Sequence, residues 1–99
     1  MDALHTITAT EAYEVTILGI LGRLKARSVS EFHAVKALSA FITSAAPDAF
    51  DDIGHVLMVH VQRILAQFVS GQLEMTAAAR DLVAIVVAAV RNDGDRAMT

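Results

Sequence analysis

Apolar residues recur along this chain at helical spacing in four stretches, and each stretch is bracketed by residues suited to starting or stopping a helix. In the first, Tyr13, Ile17, Ile20, Leu21 and Leu24 fall on one side of a helix. Thr8-Ala9-Thr10-Glu11 spells a capping box at its start, and the helix is expected to run to about Arg27. The β-branched run Val15-Thr16-Ile17 also admits a strand.

A second box, Ser28-Val29-Ser30-Glu31, opens helix two. Its core face is Ala34, Val35, Leu38, Phe41, Ile42 and Ala45, with His33, Lys36, Thr43 and Ser44 turned outward. It should stop near Ala46, because a proline disfavours the α conformation in the residue before it.

Pro47 suits the first turn of helix three, where Asp48, Asp51 and Asp52 complement the positive end of the helix dipole. Phe50, Ile53, Leu57, Val61, Ile64 and Phe68 follow one another three or four apart, the spacing of a bundle seam, up to a stop at Gly71. A fourth helix is expected from a Thr76 cap to about Asn92, with Gly94 beyond its end. Residues 1–92 thus read as one helical domain, and 93–99 as a mobile polar tail.

Short connections make successive helices antiparallel, so the expected architecture is an all-α, four-helix, up-and-down bundle. The segment Leu82 to Val90 has no polar face, which calls for enclosure by the other helices or by a second subunit. It falls far short of the ~20 residues that span a bilayer, so no membrane span is expected.

Composition strengthens the case for a partner. Hydrophobic residues make up 55% of the chain before its glycines are counted, above the roughly 45–50% with glycine of an average soluble domain. Ninety-nine residues bury a smaller fraction of their surface than a large domain does. The chain is therefore expected to be a homodimer or to bind a protein partner.

A net charge of −3 with only two lysines, Lys25 and Lys36, excludes the basic footprint of a nucleic-acid binder. There is no cysteine to build a disulfide or a thiolate site. Met1 to Ile7 lack the basic and apolar regions of a signal peptide, so the cytoplasm is the expected location.

One contact surface stands out. Ala12, Val15, Gly19, Gly22 and Ala26 form a second stripe on helix one, opposite its core face. Small residues let two helices approach closely. Glycine inside a soluble helix costs about 1 kcal/mol against alanine, so two of them ask for a reason. Either they admit a bulky neighbour of the same chain, such as Phe41 or Phe68, or they form an interface.

Candidate chemistry is sparse. No glycine-rich phosphate loop, nucleophile elbow or His-Glu-x-x-His helix is present, so an enzyme, a cofactor and a metal are not expected. His55 and His60 lie five apart, about 140° around a helix, and cannot easily share an ion. His55 should face solvent and His60 flank the core. Arg23, Lys25 and Arg27 suit the negative end of helix one. Met58, Leu65 and Val69 form a secondary apolar patch, explained by packing or by a pocket for an apolar ligand.

His33-Ala34-Val35-Lys36-Ala37 resembles the His-x-x-Lys-Gly core of histidine phosphotransfer domains, with Ala37 in place of the glycine. The segment Ile64 to Leu73 is similar in pattern to the end of that family's penultimate helix and the turn after it. The resemblance implies a phosphoryl-accepting His33 on a four-helix bundle, with Lys36 supplying positive charge. The readings of function are thus an interaction module (a regulator, adaptor or assembly factor), a phosphotransfer-like signalling module, and a structural subunit of a larger assembly.

Overall fold

The computed structural model describes residues 9–98, the side chains of residues 9, 49–53 and 93–98 excepted. Four helices follow one another: α1 (Ala9–Lys25), α2 (Glu31–Ala45), α3 (Pro47–Val69) and α4 (Met75–Met98). Among the described residues there is no strand, and Val15-Thr16-Ile17 is helical. The helices form an antiparallel bundle in which α4 packs on α3 and α1, and α2 packs mainly on α3.

The core is apolar throughout the described residues; no polar or charged side chain is buried. From α1 it takes Ile17, Ile20, Leu21 and Leu24, from α2 Ala34, Leu38 and Ile42. Half-buried Tyr13 meets Phe41 edge-on, ring centres 5.7 Å apart, joining α1 to α2.

The start of α2 departs from expectation. Its cap is Ser30 rather than Ser28: Ser30 has an extended backbone (φ −83°, ψ 165°), and its side chain accepts the His33 N–H. Ser28 is committed to the end of α1: its N–H and its hydroxyl both donate to the Arg23 carbonyl, at 2.9 and 3.1 Å. One residue cannot close the first helix and open the second, so the cap moves two residues on. The Thr8 cap predicted for α1 lies outside the described residues.

At the other end of α2, Ala46 takes φ −148° and ψ 72°, outside the α conformation that Pro47 disfavours in its predecessor. Its N–H reaches back to Ile42 at 2.8 Å, and its side chain is fully buried.

In α3 the buried row is Gly54, Leu57, Val61 and Leu65, while Ile64, Phe68 and Met58 are half-buried beside it. The predicted seam ran through Ile64 and Phe68. After Val61 the buried row takes the four-residue step to Leu65 in place of the three-residue step to Ile64, which leaves Ile64 and Phe68 at its edge. Leu65, assigned from sequence to a secondary patch, is thereby core; the side chains of Phe50 and Ile53 lie outside the described set.

Helix α4 begins before Thr76, with Ala78 donating to the Glu74 carbonyl at 2.8 Å, and it continues through Gly94 to Met98 instead of ending near Asn92. A single interior glycine weakens a helix without ending it.

The expected total enclosure of α4 also needs correction. Ala78, Ala79, Leu82, Val83, Val86 and Ala89 are buried, but Asp81, Ala84, Ala88 and Arg91 form an exposed row. The apolar run turns only alanine outward, so the bundle accommodates α4 without covering it.

Candidate functional site

Two surfaces bring together residues of possible functional weight. The first is the outer face of α1. Ala12, Val15, Gly19 and Ala26 are exposed and Gly22 is half-buried, on the side away from Ile17, Leu21 and Leu24. A Cβ added at Gly19 or at Gly22 would meet nothing within 4 Å. Neither glycine admits a neighbour from among the described residues, which removes the explanation through Phe41 or Phe68. Val15 stands beside them with 69% of its surface exposed.

Charges along this helix are segregated. Exposed Glu11 and Glu14 lie in its N-terminal half, and exposed Arg23 and Lys25 in its last turn. That distribution suits the helix dipole and also gives the outer face an acidic and a basic end.

The second surface is a cleft of about 1180 Å³ at the end of the bundle, where the α1–α2 and α3–α4 connections lie side by side. Its apolar lining comes from Leu24, Val29, Phe68, Val69, Leu73 and Met75. Lys25, Arg27, Ser28, Ser30, Glu31 and His33 line it from the α1–α2 side, and Gly71 and Glu74 from the α3–α4 side.

Both helices that end at this cleft close by the same Schellman arrangement. Arg27 donates to Leu24 at 3.1 Å and Ser28 to Arg23 at 2.9 Å; Gly71 donates to Phe68 at 3.2 Å and Gln72 to Gln67 at 2.9 Å. The motif requires a left-handed residue at its turn. Gly71 supplies it at φ 85° with no steric penalty, but α1 uses Arg27 at φ 62°, the one non-glycine residue with positive φ among those described. A side chain in that conformation costs roughly 1–2 kcal/mol.

The phosphotransfer pair is placed differently from a free helix face. His33 is exposed in the first turn of α2, and its Nδ1 lies 2.7 Å from the Ser30 hydroxyl oxygen, which itself accepts the His33 N–H at 3.2 Å. Lys36 is exposed, with Nζ 5.5 Å from the centre of the Phe32 ring. Phe32 is itself 67% exposed and meets the His33 ring edge-on.

His55 and His60 are both exposed, so His60 does not flank the core as expected. Among the described residues no three His, Cys, Asp or Glu side chains come together as a metal site would require. The Met58/Leu65/Val69 patch is divided between core, shoulder and cleft: Leu65 is buried, Met58 is half-buried and Val69 is exposed at the cleft.

Sequence reasoning missed the cleft. Its traces were Val29 and Leu73, apolar residues inside short connections that an up-and-down bundle sets at one end. The left-handed Arg27 left no trace, because arginine gives no signal of positive φ. Among the described residues no helix is long and apolar enough to cross a membrane. No protein-family model, curated protein or solved structure matches the chain.

Proposed function

We propose that this protein is a non-enzymatic, cytosolic interaction module, a regulator, adaptor or assembly factor, that pairs with a second copy of itself through the outer face of α1. The observation that carries this reading is the open space over Gly19 and Gly22 beside an exposed Val15. Two helix glycines forgo about 1 kcal/mol each against alanine and gain no packing from the described residues of their own chain.

Charge fixes the direction of pairing. Two α1 helices side by side and parallel set their acidic N-terminal halves together and their basic ends together; an antiparallel pair centred at Leu18 and Gly19 sets the acidic half of each beside the basic end of the other. In that register each Val15 faces a Gly22 of the other copy, a branched side chain over a bare backbone on both sides of the two-fold axis.

The chain's lack of cysteine makes the test clean. Gly19→Cys, at the centre of the pair, is expected to form a covalent dimer under mild oxidation far faster than Ala84→Cys, on the exposed face of α4. Equal rates for the two variants contradict the proposed face.

A second reading has one observation in its favour. With Nδ1 engaged by Ser30, Nε2 is the His33 nitrogen left for other chemistry, as phosphoryl transfer requires. Incubation with a phosphorylated response regulator should then leave an acid-labile phosphate on the protein that is lost in His33→Ala; a wild-type protein that stays unlabelled ends this reading.

A further inference from the structure

The two helix ends at the cleft perform one task with different residues. At the end of α3 the left-handed position is filled by Gly71; at the end of α1 it is filled by Arg27, held at φ 62°. Glycine satisfies the same turn without strain, so the geometry of the turn gives no reason for an arginine there. Strained positions that carry a long charged side chain into a cavity point to a use for that side chain.

Arg27 lines the cleft together with Lys25 and the hydroxyl-bearing Ser28 and Ser30, all on the α1–α2 side. Beneath them lie Leu24, Val29, Phe68, Leu73 and Met75. Two acids share the rim: Glu74 on the α3–α4 side, and Glu31 beside Ser30 at the start of α2, which also borders a second hollow with Phe32, Val35 and Gln62. An apolar lining with a few polar groups gathered on one side is the usual build of a small-molecule site.

We propose that the cleft binds an amphipathic molecule with an anionic head, its apolar chain against Leu24, Phe68, Leu73 and Met75 and its head paired with Arg27. Guanidinium binds a carboxylate or phosphate through two parallel N–H donors, which gives it more directional hold on the head than the Lys25 ammonium. The site is independent of the outer face of α1, and its failure leaves the proposed pairing untouched.

Two probes with the same tail and opposite heads test it: sodium decanoate and decyltrimethylammonium, each titrated below its micelle concentration into isotope-labelled protein and followed by methyl and amide shifts. Decanoate is expected to shift Leu24, Val29, Leu73 and Met75 saturably and to bind at least tenfold more tightly than the cationic probe. Arg27→Gly should lose that preference while melting at a higher temperature, so weakened binding cannot be ascribed to unfolding. The proposal is overturned by the absence of saturable decanoate shifts, by equal affinity for the two heads, or by a preference that survives in Arg27→Gly.

Discussion

Helices α1 and α4 were the two segments whose apolar content asked for a partner, and they turn opposite kinds of surface to solvent. Helix α4 carries the longest apolar run of the chain, yet its outward row is Asp81, Ala84, Ala88 and Arg91, with its large side chains directed inward. Helix α1 has no apolar run of that length, yet it exposes Val15 beside two glycines over which no described residue packs. Apolar content along a helix thus says little about apolar surface; what matters is which residues occupy the outward positions. Alanine flanked by charges is an ordinary wet face, whereas valine next to bare backbone offers both a projection and a recess.

The largest effects that can break this contrast lie in the shared core. Leu21→Ala in α1 and Leu82→Ala in α4 remove side chains with at most 1% exposure, and each should cost about 2–5 kcal/mol in denaturant unfolding. If Leu82→Ala costs less than 1 kcal/mol, α4 is not held as described.

Next comes the contrast itself. Gly22→Leu on α1 is expected to weaken self-association at least tenfold, about 1.4 kcal/mol, with helical circular dichroism retained because no neighbour occupies the space over Gly22. Ala84→Leu on α4 should leave the mass unchanged. Unfolding of Gly22→Leu would mean that the groove is filled from within the chain.

Smaller effects probe the ends of the helices. Ser30→Ala should destabilise by about 1 kcal/mol through loss of the α2 cap, and Arg27→Gly should stabilise by about 1 kcal/mol by relieving the left-handed side chain; thermal melts report both. Smallest of all, Glu14→Lys should weaken association by no more than about 1 kcal/mol, since exposed charges contribute little, and adding Arg23→Glu, which restores opposite charge to the two ends of α1, should recover part of it. A double variant as weak as the single one argues against the antiparallel register.

Much of the bundle was legible in the sequence. Four helices, the break at Pro47 and the core residues Ile17, Leu21, Leu38, Ile42 and Val61 follow from periodicity, because spacing reports directly which residues share a face. Details at helix ends were not, because two neighbouring helices compete for the same residues. Ser28 closes α1 and is lost to α2, and the glycine that ends α3 has an analogue at position 94 that α4 passes through.

The small-residue stripe was legible as a pattern, but not what lay over it. Bare backbone reads the same in sequence whether a neighbour fills it or solvent does. The cleft was hidden for a different reason: it is made by two connections far apart in the chain, and its strained arginine can be recognised only from its backbone angle.

Solution mass across a concentration series, for wild type and Gly19→Leu, tests the central claim most directly. Pairing through α1 predicts a wild-type mass rising toward twice the 10.6 kDa of one chain, and a helical Gly19→Leu that stays at one chain over the same range. A wild-type protein that remains at 10.6 kDa throughout, or a Gly19→Leu variant that dimerises equally well, contradicts it.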